Sequence, residues 1–145
     1  MEKNGEKPMG RIVVDLTLAN NQDVQMAKGN ALPADQVRHA TIQAVVDCGA
    51  NQLVLPLAVV QQLGLPSVGQ ASVRYADDRT ELREVVEQVE VELQGRRGTF
   101  QALVEPKRTT ALVGAIVLET LDFLADCGNQ RIYPRDPIRI IAEVE

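Results

Sequence analysis

Two stretches of this chain carry residues able to do hydrolytic chemistry. Asp47-Cys48-Gly49 lies in "AVVDCGANQLVLP", and Asp126-Cys127-Gly128 lies in "FLADCGNQRIYP". In the first, the apolar strand "HATIQAVV" delivers a carboxylate to the edge of the core, where loss of water can raise a carboxyl pKa. Gly49 behind it permits an unusual backbone angle or the close approach of another segment. Two such carboxylates brought together cannot both ionise, so they share a proton. One then acts as general base on a trapped water while the other acts as general acid on a carbonyl. The same tripeptide is also ordinary turn chemistry, with the Asp side chain capping a loop. Taken alone, the residues leave both readings of Asp47 open.

The second copy does not complete the first. Only residues 129–145 follow Gly128, too few for a second lobe around Asp126. Its context, "LDFLAD" then "CGN" then "QRIYP", has the pattern of strand, tight turn and strand, with Gly128 and Asn129 as turn residues. A second carboxylate would have to come from another molecule. A two-fold homodimer meets that need, because residues near its axis face their own copies.

Other chemistries fit poorly. There is one histidine and two cysteines with no CxxC spacing, so no zinc set and no other metal site or cofactor is expected. His39 and Cys48 would stand about 25–30 Å apart along an extended strand, which argues against a thiol–imidazole pair within one chain. His39 is expected as an exposed strand residue. The glutamates 87, 90 and 92 make a wet strand face. A net charge of -5 over 145 residues excludes nucleic acid as a natural partner. No apolar run approaches the roughly 18 residues of a membrane span, and "MEKNGEKPMGR" has no signal-peptide core. No membrane association is therefore expected. The expected compartment is cytoplasmic, with both cysteines as reduced thiols.

The elements that must position Asp47 are short and mostly extended. With no tryptophan and 3% aromatics, the core must be aliphatic. Residues 1–10 are expected as a flexible lead, and residues 11–145 as a single domain. "RIVVDLTL" alternates as a strand. A polar insertion at about residues 20–37 follows, broken by Gly29 and Pro33, with room for one or two short helical turns. After the "HATIQAVV" strand comes the apolar segment "QLVLP". "PLAVVQQLG" is a helix with Pro56 at its first position, Leu57, Val60 and Leu63 on one face, and Gly64 as its stop. "ASVRY" and "TELREVV" flank a turn at 76–79. "EQVEVELQ" strictly alternates, "QGRRG" connects, and "TFQALVEP" returns. "TTALVG" ends on Gly114, a short helix spans roughly 115–121, and "PIRIIAEVE" alternates weakly as one last strand. The sum is a mainly β fold, a small closed barrel or a sandwich with one or two short helices.

The ordered set "AVVDCGANQLVLP", "VVQQLGL", "YADDR", "ALVG" and "LETLDFLADCGNQRIYP" resembles the retroviral-like, single-domain aspartic proteases from about Arg11 to Pro137. It is similar in particular to their bacterial branch, which carries a polar insertion between its first two strands. The resemblance implies the retropepsin-type closed β-barrel and peptide hydrolysis by a homodimer. It assigns Asp47 as the catalytic residue, with Cys48, Gly49 and Ala50 as the active-site loop. Tyr75, Ala76, Asp77, Asp78 and Arg79 would be the flap that closes over a peptide or protein substrate. Leu112, Val113 and Gly114 would cross behind the active-site loop. The strands "RIVVDLTL" and "PIRIIAEVE" would form the dimer interface. Two positions depart from the family pattern. Cys48 stands where a Thr or Ser hydroxyl ordinarily bonds across the dimer axis, and a thiol is a weaker donor. Asp78 replaces a flap glycine. The alternative these departures support is a peptide-binding or dimerisation module of the same fold without hydrolysis.

Overall fold

The computed structural model describes residues 11–140 and 142–144; the expected lead at 1–10 lies outside the described residues. Among the described residues nine strands and three α-helices follow one another. β1 (Ile12–Asn20) is joined through α1 (Asn21–Lys28) and a 3-10 turn (Ala34–Gln36) to β2 (His39–Val46). Then come β3 (Leu53–Pro56), α2 (Leu57–Leu63), β4 (Ser67–Arg74), β5 (Thr80–Leu93) and β6 (Arg96–Glu105). β7 (Ala111–Val113), α3 (Ala115–Leu121), β8 (Phe123–Asp126) and β9 (Arg131–Pro134) complete the order.

Six strands close on themselves in the order β1-β2-β7-β3-β6-β5, with β5 pairing back onto β1. This is the expected closed barrel, which leaves no open edge around the ring. β4 hangs outside it on β5, as the second strand of a hairpin arm. Alternation along each strand sends one set of side chains inward. Leu16, Leu18, Ala44, Val46, Leu53, Leu55, Val89, Val91, Leu93, Ala111 and Val113 are all buried, with Leu63 of α2 and Leu121 of α3 sealing the barrel. At about 25 cal/mol per Å² of apolar surface removed from water, such an aliphatic set supplies the main driving force.

The outward set contains an apolar row in continuous register. Val13 faces Val45, Val45 faces Leu112, Leu112 faces Val54, Val54 faces Leu103, and Leu103 faces Val85. All six are half-buried, so the row forms a shallow apolar surface crossing every strand of the ring.

Several elements differ from the sequence reading. "TELREVV" and "EQVEVELQ" are one strand, β5, bent by a bulge between Val86 and Val89. Gln88 takes a left-handed φ of 64° there, and its side-chain oxygen accepts from Asn21 Nδ2 at 2.9 Å. The bend lets one strand serve both the arm and the barrel. The polar insertion supplies an eight-residue helix, α1, so the α-helices among the described residues number three rather than one or two. Pro56 ends β3 in an extended conformation (ψ 143°) and caps α2, with Leu57 as the first helical residue. "PIRIIAEVE" makes no strand among the described residues. Asp136 folds its start locally, accepting from the N–H groups of Ile138 and Ile140. In the β8–β9 turn Gly128 and Asn129 are turn residues as expected, and Gln130 after them takes a left-handed φ of 53°.

The insertion is tied down by a buried polar pair. Asn20, fully buried, accepts from the N–H of Asp23 and so caps α1, and its Nδ2 donates to Leu63 O at 2.9 Å at the end of α2. Asp23 takes a forked pair of bonds from the Arg38 guanidinium at 2.8 and 3.0 Å and a third from the Arg38 N–H. These bonds, the guanidinium's first, hold the Asp23 carboxyl below its ordinary pKa against the opposing effect of burial.

Candidate active site

Asp47 stands one residue beyond β2, where the strand leaves the barrel. Its N–H donates to Val113 O at 2.9 Å, extending the parallel β2–β7 ladder past its last strand pair. Oδ1 accepts from the Gly49 N–H at 2.9 Å, and the Ala50 N–H donates back to Asp47 O at 3.1 Å. Gly49 is not left-handed; a Cβ there would sit 3.2 Å from Asp47 Oδ1, so glycine leaves room for the carboxylate. Asp47, Cys48 and Gly49 are exposed.

Gly114 locks the loop from behind. A Cβ at this position would lie 2.4 Å from Gln52 O and 2.8 Å from Ala50 O, both backbone atoms. Because no side chain intervenes, the first two N–H groups of α3, from Ala115 and Ile116, donate to Ala50 O and Asn51 O at 2.8 and 3.0 Å. Leu112-Val113-Gly114 thus crosses directly behind the 47–51 loop. A free helix N-terminus and a loop with unpaired carbonyls satisfy each other.

A cleft of about 680 Å³ opens between this loop and the β4–β5 arm. Asp47, Gly49, Ala50, Tyr75, Ala76 and Leu112 line it. Cys48, Asp77, Asp78, Arg79, Val113 and Gly114 do not: the last two lie behind the loop, and residues 77–79 form the tip of the arm. That tip is a tight turn closed by bonds from Asp78 N–H to Tyr75 O and from Tyr75 N–H to Arg79 O. Asp78 sits at φ 69°, where glycine is the unstrained choice.

The arm is pinned over the cleft by Tyr75 together with two residues the sequence reading did not single out, Glu105 and Arg83. The Tyr75 hydroxyl donates to Glu105 Oε2, and Arg83 Nε donates to Glu105 Oε1 at 3.0 Å. The Arg79 guanidinium lies 4.6 Å from the centroid of the Tyr75 ring. Burial, then the adjacent Glu105, pushes the Tyr75 phenol up, so it stays a neutral donor. The signal for Glu105 is its alternation with Val104 and Ala102, which aim inward; Leu103 and Glu105 share the outer face. The cleft floor is the apolar row itself, through Val54, Leu103 and Leu112.

Cys48 is exposed, yet the chain around it removes enough water to push its thiol above the ordinary cysteine range, and the nearby Cys127 and Asp47 act in the same direction. Both cysteines are free. Asp126 lies outside the cleft. Its two oxygens accept from the Asn129 side chain at 2.7 Å and the Asn129 N–H at 3.2 Å. These bonds hold its carboxyl below the usual range, as befits a turn residue. Among the described residues no cluster of three or more His, Cys, Asp or Glu is placed to hold a metal, and no helix is long and apolar enough to cross a membrane.

No curated protein matches the chain. Its fold is similar to that of a solved structure titled EIAV protease complexed with the inhibitor HBY-793. The two are 15% identical, with a TM-score of 0.56 over 83% of this chain and 94% of that one. The family model described as aspartyl protease matches residues 29–118, more than half of the sequence. With the six-stranded ring and the loop clamped by Gly114, this match places the chain in the retropepsin-type aspartyl protease family.

Proposed function

We propose that the protein is an aspartic endopeptidase active as a homodimer, with Asp47 of each subunit forming one half of a catalytic dyad. The observation that carries this reading is that the cleft contains a single uncommitted carboxylate. Glu105, the other acid lining it, is engaged by Tyr75 and Arg83, and Asp126 faces its own turn. Peptide hydrolysis by this chemistry needs a second carboxyl group to share the proton, and a second copy of Asp47 supplies it across a two-fold axis. The paired acids would hold one water, which attacks the scissile carbonyl as one Asp47 takes its proton and the other donates to the carbonyl oxygen.

A surface suited to such pairing exists beside the loop. β8 and β9 form a two-stranded sheet separate from the barrel, a unit that is marginal alone and has two open edges. Leu124 and Tyr133, paired across it, are exposed, as are Ile138, Ile140 and Val144 of the segment that follows. Burial of these side chains against a second subunit accounts for apolar residues that the chain by itself leaves in water.

The test is cleavage of a mixed peptide library at mildly acidic pH by wild type and by Asp47→Asn. Cleavage that the substitution abolishes, with the fold retained, supports the proposal; cleavage that survives it refutes it. The Cys48 thiol favours a second reading, a non-hydrolytic peptide-binding module, because it replaces a strong hydroxyl donor at the place where two loops would meet. Asp47-independent peptide binding without any hydrolysis is the result that reading predicts.

A further inference from the structure

We infer that Arg108 is a specificity-determining residue that selects peptides carrying an acidic side chain close to the scissile bond. The charged side chains lining the cleft are Asp47, Arg74, Glu105 and Arg108. Glu105 is matched by Arg83. Arg74 is largely exposed and lies 3.8 Å from Asp78. Arg108 has no carboxylate partner among the described residues, although it is half-buried at the cleft wall. An arginine half-buried in the cleft wall without a counter-charge is a receptor for one, since hydrogen bonds between two charged groups are stronger than neutral ones.

The side chain is held ready for that role. It folds onto its own loop between β6 and β7, with Nε donating to Thr110 O at 3.0 Å and Nη2 donating to Thr110 Oγ1 at 3.3 Å. The remaining N–H groups of its five, including both on Nη1, stay available. Much of the ordering cost of a long side chain is therefore met before any ligand arrives. Thr110 lies two residues before Leu112, whose side chain lies in the floor row opposite Val54. A substrate lying across the floor would thus place apolar side chains on Val54, Leu103 and Leu112 and a carboxylate on Arg108. The forked geometry suits Glu or Asp and rejects Lys and Arg by like charge.

This inference deepens the endopeptidase reading and rests on it only for its cleavage arm. The experiment compares kcat/KM for peptides with Glu against isosteric Gln, scanned through the positions flanking the cleaved bond, for wild type, Arg108→Gln, Arg108→Lys and Arg108→Glu. The expected result is a preference of about ten- to a hundredfold for Glu at one position, the size of one charge-assisted hydrogen bond. It should vanish in Arg108→Gln, shrink in Arg108→Lys and turn toward Lys in Arg108→Glu. A preference that persists in Arg108→Gln, or cleavage by wild type with no acidic preference, overturns it. Fluorescence anisotropy of the same peptides on the Asp47→Asn protein and its Arg108 variants separates the two claims. Arg108-dependent binding of acidic peptides without wild-type cleavage would sustain this inference and defeat the peptidase reading. Absence of both binding and cleavage would defeat both.

Discussion

Two residues around Asp47 illustrate how single positions set this site. Gly114 gives way to backbone on the far side of the loop, so Gly114→Ala forces Gln52 and Ala50 carbonyls away from a Cβ that would otherwise lie 2.4 Å from one of them. We expect that variant to lose about 1–3 kcal/mol of stability, in the range of core overpacking, measured by denaturant unfolding; wild-type stability would show that the loop is not clamped as described. Cys48 is held in its thiol form because water withdrawn from it, with Cys127 and Asp47 nearby, raises its pKa. The thiolate reacts with alkylating agents and the thiol does not. Peptide-mapped alkylation of Cys48 should therefore rise with pH at a midpoint above that of a cysteine in a free peptide, and a midpoint at or below it would contradict the structure. Replacing the weak donor by a hydroxyl, Cys48→Thr, should raise kcat and tighten dimerisation if the two loops meet there. A fall in both, read by turnover and sedimentation, would place Cys48 elsewhere in the mechanism.

At the scale of elements, the polar insertion is less loose than its composition suggests. Asn20 caps α1 and holds the end of α2, while Asp23 and Arg38 staple the insertion's two ends. Removing the buried amide in Asn20→Ala leaves the Leu63 carbonyl and the Asp23 N–H without partners and should cost about 1–3 kcal/mol. Because the folded-state pKa of Asp23 is depressed, its contribution is present above the ordinary carboxylate range and is lost as pH falls through the lowered value. Asp23→Asn should accordingly flatten the acid limb of the stability–pH curve; an unchanged acid limb would show that the Arg38 pair carries little. Most of the barrel strands and α2 were legible in the sequence, because alternation along "HATIQAVV" and "EQVEVELQ" and the stops at Gly64 and Gly114 are local signals. The β5 bulge was not, since its left-handed residue is Gln88, a type that carries no turn signal. The final strand was misread because weak alternation in "PIRIIAEVE" says nothing about whether a strand edge waits for it.

Across the whole molecule, the site arises from connections that no local pattern specifies. The parallel pairings β2–β7 and β3–β6 bring Asp47, Val54, Leu103 and Leu112 to one surface from four separate segments. The place of Asp47 was legible because a strand runs straight into Asp47-Cys48-Gly49. Arg108 and Glu105 were not, because their approach depends on how the ring closes. The β8–β9 hairpin leaves Leu124 and Tyr133 exposed, as is Ile138 after it; if the proposed homodimer pairs through this surface, Leu124→Lys with Tyr133→Lys should raise its dissociation constant at least tenfold while leaving the barrel folded. An unchanged association by analytical ultracentrifugation would move the interface off this hairpin.

The most direct measurement of the central claim mixes subunits. A fixed amount of wild type, at a concentration where it is dimeric, receives an equal amount of Asp47→Asn, and peptide cleavage is followed after exchange. If each active site takes one Asp47 from each chain, half of the wild-type chains acquire a dead partner and activity falls to about half. If one chain carries a complete site, the added variant changes nothing, and the shared-carboxylate account is wrong.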